Sequence, residues 1–133
     1  MTSIFPQDLP AVSLDCTAQT TLAYAGLTND FNPLHVDAEF AAGTPFGGPI
    51  AHGTMALNLL LAGIERRVGP DLMVADVSVR FVAPTPLPNR LTSSATRRDD
   101  GGAYDVAVVR EDGTAVMAGS LTLAPRAASE AQS

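Results

Sequence analysis

The chain has 133 residues, of which 46% are hydrophobic and 17% charged, so it predicts one compact domain over residues 1–133 and excludes a disordered chain. Its net charge of -6 excludes the basic surface that nucleic-acid binding requires. The single cysteine, Cys16, excludes an internal disulfide, and the lack of a leader or a membrane-length apolar run predicts a cytoplasmic protein without a membrane contact.

The first part of the chain predicts a strand followed by helical segments. Residues 11–15 read as a short strand, and residues 17–27 as a helix for which Thr17 is a suitable N-cap. Residues 37–42 predict a helical turn that Gly43 closes. A loop rich in glycine and proline follows this turn.

The most apolar stretch runs from Ile50 to about Val68 and predicts one long helix. Met55, Leu59 and Ala62 recur at helical spacing, and further leucines spread apolar surface around the other sides. Because a helix that is apolar on most faces is usually buried, we expect this helix at the centre of the fold.

The rest of the chain predicts four strands joined by short turns. In the first of them, Ala75, Val77, Val79 and Phe81 alternate with polar residues, which is typical of an antiparallel strand with one wet face. The turns DDGG and EDGT favour hairpins. The four predicted strands cover residues 72–84, 90–98, 103–111 and 115–124.

This order of elements predicts an α+β fold in which an antiparallel sheet wraps around one long central helix. An open sheet leaves unpaired edges, so we expect two copies to join edge to edge as a dimer. The tail, residues 126–133, is small and polar, and we expect it to be flexible.

A polar cluster precedes the long helix. Asp30, Asn32 and His35 fall within one short stretch around Pro33, which disfavours helix in the residue before it and so predicts a bent loop. A carboxylate and an imidazole that converge on one water form a general acid–base pair. The structural alternative is that Asp30 caps the next turn, His35 packs, and Asn32 binds the loop backbone.

The start of the long helix offers a second feature. Gly53 lacks a side chain, so a ligand oxygen could approach its N–H at a helix N-terminus, as an oxyanion hole requires. Close packing would also explain a glycine there, and we expect His52 to be mainly structural. A metal site from His35, Asp37 and His52 matches no recognised ligand spacing, so no metal is predicted.

The segment YAGLTNDFNPLHVDAEFAAGTPFGGPIAHGTMALNLL, residues 24–60, resembles the signature of the MaoC-like, (R)-specific enoyl-CoA hydratases. The signature is a tyrosine and a few small residues followed by D-x-N-P-[LIV]-H, which stand here as Tyr24, Asp30, Asn32, Pro33, Leu34 and His35. An I-x-H-G sequence at 50–53 matches as well, and the resemblance extends over residues 11–124. It implies the hot-dog fold.

The resemblance implies a hydro-lyase that adds water to a trans-2-enoyl-CoA, giving an (R)-3-hydroxyacyl-CoA, or that catalyses the reverse dehydration. It implies that Asp30 and His35 activate the water and handle the α-carbon proton. It also implies that the Gly53 N–H binds the thioester oxygen, with Asn32 and His52 in supporting roles. It implies no cofactor, an acyl-CoA as binding partner, and a homodimer, or a higher oligomer, with its sites near the interface.

Some features depart from this pattern or stay open. The turn APTPLPNRL, residues 83–91, replaces a Pro-x-x-x-Gly-Asp turn common in the family and could reshape the acyl pocket. Leu57, Leu60 and Leu61 could line or block an acyl tunnel. A hot-dog thioesterase, or a non-catalytic acyl-binding subunit, remains an alternative function.

Overall fold

The computed structural model describes residues 4–99 and 101–126, so the predicted flexible tail lies, beyond Arg126, outside the described residues. The elements follow one another as the sequence predicts, with one strand, helical segments, a long helix and four strands, except that the helical turn at Pro33–Val36 was not predicted. In chain order they are β1 (Asp8–Cys16), α1 (Ala18–Thr28), α2 (Pro33–Val36), α3 (Ala38–Ala42), α4 (Gly53–Val68), β2 (Leu72–Phe81), β3 (Asn89–Arg97), β4 (Ala103–Val109) and β5 (Ala115–Pro125).

The strands form one antiparallel sheet in the order β1-β3-β4-β5-β2, which leaves β1 and β2 at its edges. One predicted alternation is wrong. Ala75 is an extra, unpaired residue between the pairs Val74–Leu123 and Asp76–Thr122, so it is exposed. A bulge of this kind shifts the alternation of side chains by one residue. Before the bulge Leu72 and Val74 face the core, and after it Val77 and Val79 do, as predicted.

Capping residues set the ends of the short helices. Thr17 caps α1 as predicted, because its hydroxyl accepts from the Thr20 N–H at 3.1 Å and the Thr20 hydroxyl accepts from the Thr17 N–H at 2.7 Å. Asp37 caps α3 by accepting from the Phe40 N–H at 3.1 Å, and Gly43 ends that helix as expected.

The long helix α4 begins at Gly53, three residues after the predicted start. The reason is tertiary, because the Ala51 N–H donates to the Thr85 carbonyl at 2.9 Å and Ile50 forms a bridge with Pro86. One face of α4 is buried, including Leu60 and Ile64, whereas its opposite face is exposed in the single chain. The prediction of burial on most faces is therefore wrong for an isolated copy.

The core lies between α4 and one face of the sheet, and α4 contacts all five strands. At Gly63 the helix approaches β1 closely, since an added Cβ would lie 2.8 Å from Val12 Cγ2. Large side chains that are fully buried fill the rest of the interface: Leu60, Ile64, Leu91, Tyr104, Met117 and Leu121.

Within the part of the chain that the structure describes, no helix is both long enough and apolar enough to cross a membrane.

Two helical glycines should respond in opposite ways to substitution by alanine. At Gly26 of α1 an added Cβ meets no atom within 4 Å, so Gly26→Ala should stabilise the protein by about 0.5–1 kcal/mol because alanine loses less backbone entropy. At Gly63 the Cβ would collide with Val12, so Gly63→Ala should destabilise it by about 1–3 kcal/mol. Urea unfolding measures both values. Equal effects at the two positions would show that α4 does not approach β1 this closely.

Candidate active site

The polar segment between α1 and α2 lies over the N-terminus of α4. Asn32 caps α2, since its Oδ1 accepts from the Leu34 N–H at 3.0 Å. Asp30 Oδ1 accepts from the Asn32 N–H at 3.3 Å, and half of the Asp30 side chain is exposed. The cap of the turn is thus Asn32 rather than Asp30, and the Asp30 carboxylate keeps Oδ2 free of any side-chain hydrogen bond within the described residues.

His35 lies on the single turn of α2, not on a bent loop as the proline suggested. Its Nδ1 is 2.8 Å from the Ile50 carbonyl oxygen, which can only accept, so Nδ1 carries the proton. In the neutral ring Nε2 then holds the lone pair. The imidazole is therefore oriented with its basic nitrogen away from the backbone that holds it.

His52 is almost fully buried at the N-cap position of α4. Its Nε2 lies 3.0 Å from the Asp30 carbonyl oxygen, so Nε2 carries the proton and donates, while Nδ1 is buried without a partner among the described residues. The ring stacks on His35 with 4.0 Å between centroids and 26° between planes. The Asp30 carboxylate also lies 3.9 Å from His52 Nε2.

Nitrogen or oxygen atoms of Asp30, His35 and His52 all lie within 4.8 Å of one another. Asp37, which the sequence suggested as a metal ligand, caps α3 instead and is not in this cluster. Imidazole nitrogens bind a metal in the plane of the ring, and two nearly parallel stacked rings do not direct their lone pairs to one nearby point. The arrangement fits acid–base chemistry better than chelation.

A pocket of about 380 Å³ opens beside this cluster. His35 and Gly53 both line it, whereas most of its other walls are apolar. From α4 the wall takes Gly53 and Ala56, and Leu57, Leu60 and Leu61, for which the sequence left lining or blocking of a tunnel open, do not line this pocket. The apolar wall comes mainly from Phe46, Ile50, Phe81, Val82, Ala83 and Val116.

Gly53 is the first residue of α4, where backbone N–H groups have no partner inside the helix. Packing does not require a glycine here, because an added Cβ would lie 3.6 Å from the Phe81 ring, an ordinary contact. That Cβ would instead occupy space beside the pocket. The glycine therefore leaves room for a ligand next to a helix N-terminus.

The turn at residues 83–91 does shape the pocket, as the sequence suggested, through Ala83, Pro84 and Thr85. Arg110 holds this wall, because its Nη1 donates to the Pro84 carbonyl at 2.9 Å while Nη2 and Nε pair with the Asp112 carboxylate. The Arg110 guanidinium holds the pKa of Asp112 well below its usual range. The pair therefore persists at pH values where free carboxylates are protonated.

Sequence reasoning assigned no role to Tyr24, Thr54 and Asn58, although Tyr24 stands in the family signature. The Tyr24 ring lies 5.0 Å from the His52 ring. Its hydroxyl lies 2.6 Å from the Thr54 hydroxyl and accepts from Asn58 Nδ2 at 2.8 Å. The sequence signals were the tyrosine of the family signature and an asparagine in an otherwise apolar stretch of helix.

Residues 7–124 match the family model described as "MaoC like domain". An (R)-specific enoyl-CoA hydratase of Aeromonas caviae is 34% identical over 97 residues, which are 71% of this chain and 65% of the relative. An (R)-specific enoyl-CoA hydratase of Rhodospirillum rubrum is 34% identical over 74 residues, 55% of this chain and 51% of the relative. The chain thus spans about half the length of the second relative and just under two thirds of the first.

Solved structures share the architecture. The unliganded R-hydratase of Pseudomonas aeruginosa is similar with a TM-score of 0.76 and 25% identity, covering 90% of this chain and 79% of that one. The antiparallel sheet around a central helix is the hot-dog fold, which confirms the fold predicted from the sequence.

The hydrogen bonds predict opposite tautomers for the two histidines. At mildly alkaline pH, His35 should carry its proton on Nδ1 and His52 on Nε2, because each of these nitrogens faces a carbonyl oxygen. Long-range ¹H–¹⁵N correlation spectra measure this directly, since the chain contains only two histidines. His35→Gln removes one set of signals and assigns the other. A His35 ring protonated on Nε2 would contradict its orientation as a base toward the pocket.

Proposed function

The chain belongs to the MaoC-like domain family, and we propose that it adds water to a trans-2-enoyl-CoA to give an (R)-3-hydroxyacyl-CoA, or catalyses the reverse dehydration. One observation carries the proposal. His35 and the N-terminus of α4 at Gly53 border the same apolar pocket, and an oxygen of the Asp30 carboxylate lies within 4.8 Å of a His35 ring nitrogen. The (R)-specific hydratases named above support the stereochemistry by similarity.

In the hydration direction, the proposed role of Asp30 and His35 is to bind and activate one water. The lone pair on His35 Nε2 accepts a proton from it, and the Asp30 carboxylate accepts the other O–H and orients the water. The Asn32 N–H holds that carboxylate at 3.3 Å, which makes Asn32 a supporting residue. General base catalysis of this kind contributes about 10²- to 10⁴-fold.

The water oxygen forms a bond to C3 of the enoyl group, and the electrons of the 2,3-double bond move toward the thioester carbonyl. The Gly53 N–H and the partial positive charge at the N-terminus of α4 stabilise the enolate oxygen that results. A proton returned from the Asp30–His35 pair to C2 completes the addition. No electrons are exchanged with an outside group, so the reaction requires no redox cofactor.

The pocket suits the hydrocarbon part of such a substrate. Its walls are mostly apolar, so they exclude competing water and strengthen the polar contacts at its open end. Phe46 and Phe81 are each about half exposed, at 46% and 52%, and both line the pocket, where a bound acyl chain would cover them.

Thioester hydrolysis is less well supported. Hot-dog thioesterases usually carry their carboxylate on the central helix, where it can attack or activate water at the carbonyl carbon. In α4 the only carboxylate belongs to Glu65, which borders a different pocket near Gly69 and Leu72. Asp30 instead comes from the segment ahead of the helix.

A second copy of the chain joined along β2 is part of the proposal. The β2 edge is free in the single chain, and Phe81 and Val82 at its end are half exposed beside the pocket. The other edge, β1, contains Pro10 and has an irregular register between Leu9 and Val12, which makes it a poorer partner for pairing. A homodimer across β2 would bring the two pockets close to the interface.

Replacing Asp30 or His35 should abolish hydration. With crotonyl-CoA, loss of the enoyl-thioester absorbance should slow by about 10²- to 10⁴-fold in Asp30→Asn and in His35→Ala. Asp37→Asn is the matched control, because Asp37 only caps α3 and asparagine caps equally well; it should keep wild-type rates.

Chiral analysis of the product tests the (R) assignment. Thiol release without loss of the enoyl band, over a panel of acyl-CoAs, would favour the thioesterase reading. Full activity in Asp30→Asn would refute the proposed acid–base pair.

Sedimentation equilibrium should report twice the mass of the chain. Val82→Asp, at a position that is 49% exposed at the end of β2, should shift the equilibrium toward monomer because it places charge at the proposed interface. Leu27→Asp is the control, since Leu27 is 87% exposed on α1. A monomeric wild type, or an equal effect of both variants, would argue against dimerisation through β2.

A further inference from the structure

The exposed face of α4 carries polar residues that the proposed reaction does not use. Thr54 and Asn58 are four residues apart, so they lie one above the other on the helix, and both are exposed. Both meet the hydroxyl of Tyr24 from α1, at 2.6 Å and 2.8 Å. An amide nitrogen only donates, so Asn58 donates to the tyrosine oxygen, and the tyrosine proton is free to bond to Thr54.

The same tyrosine ring contacts His52, at 5.0 Å between centroids and 56° between planes. His52 in turn stacks on His35 at 4.0 Å. The three rings therefore form a row, Tyr24–His52–His35, that starts on α1, passes the N-cap of α4 and ends at the pocket. Tyr24, at the far end of this row from the pocket, is held to α4 by the hydrogen bonds of its hydroxyl to Thr54 and Asn58.

His52 depends on its neighbours for its position. One nitrogen is held, because Nε2 donates to the Asp30 carbonyl, but Nδ1 is buried with no partner among the described residues. A hydrogen bond at one nitrogen leaves the ring free to swing about that contact. Packing must therefore set its plane, and the ring contacts with Tyr24 and His35 contribute to that packing.

We infer that Tyr24, held by Thr54 and Asn58, is a positioning residue that keeps His52 bonded to the Asp30 carbonyl and stacked against His35. This inference rests on the proposed hydratase function and adds a role that acts through His52. Tyr24 does not line the pocket that His35 and Gly53 border but, with Asn58, a separate one, so we assign it no contact with the reacting atoms. A tilt of His52 would displace both members of the acid–base pair at once.

Two substitutions separate the ring from its hydroxyl. Tyr24→Leu removes the ring and should lower kcat by roughly 10²-fold with little change in KM, because misplacement of catalytic groups by about 1 Å costs that much. Tyr24→Phe keeps the ring but loses both hydrogen bonds, and it should retain more activity, within roughly tenfold of wild type. Recovery by phenylalanine is the result that distinguishes placement of the ring from a contribution of the hydroxyl to chemistry.

The other tyrosine provides a matched control. Tyr104 is fully buried, and its hydroxyl donates to the Pro6 carbonyl far along the chain from either histidine. Tyr104→Phe removes one buried hydrogen bond, so it should lower the unfolding temperature without changing kcat. If Tyr24→Leu acted only by destabilising the fold, its kcat per folded molecule should be as little changed as that of Tyr104→Phe.

The imidazole signals give a readout that does not need turnover. In Tyr24→Leu the ring nitrogen and proton shifts of His52 and His35 should both move, whereas Tyr104→Phe should leave them in place. If Tyr24→Leu does not fold, Tyr24→Met carries the test, since it also removes the ring and its longer side chain fills more of the vacated space.

The outcomes separate the two claims. Unmoved histidine signals in folded Tyr24→Leu, or in Tyr24→Met where that variant does not fold, would overturn the positioning role whether or not the enzyme turns over. A wild-type kcat in folded Tyr24→Leu would overturn it as well. Moved signals in a protein that hydrates no enoyl-CoA would uphold the positioning of His52 and refute the proposed function alone.

Discussion

The hydrogen bond from His52 to the Asp30 carbonyl is the contact on which the site depends. It joins the segment between α1 and α2 to the first residue before α4, two parts of the chain 22 positions apart. The buried ring that donates it also stacks on His35. The His52 side chain therefore links the segment of the carboxylate, the imidazole and the helix N-terminus, while the Ile50 carbonyl holds His35 and the Asn32 N–H holds the carboxylate.

The sheet and the central helix provide the rigid base for this contact. α4 packs closely against β1 at Gly63, and buried side chains such as Leu91, Tyr104 and Leu121 fill the space between the helix and the sheet. Its N-terminus is consequently fixed against the turn at residues 83–91, which Arg110 holds through the Pro84 carbonyl. The segment 30–35 is short and mostly exposed, so its geometry depends on its contacts with the helix and sheet.

Local pattern predicted most elements because their determinants are local. The Thr17 and Asp37 caps, the Gly43 stop and the hairpin turns each depend on a few neighbouring residues. The misses have distant causes. Ala75 leaves the alternation because β2 has one residue more than β5 at that point, and α4 starts late because residues 50 and 51 pair with the turn beyond β2.

By itself the sequence determined the order of the strands and of the longer helices, the central place of the apolar helix and the candidate residues Asp30, His35 and Gly53, since periodicity, caps and a dense signature are properties of adjacent positions. Only the tertiary structure decided how these residues face one another. It placed the proton of each histidine opposite a carbonyl, excluded Asp37 and the leucines of α4 from the site, and brought Tyr24 against His52. Such facts depend on contacts between residues far apart in the chain, and spacing along the sequence carries no record of them.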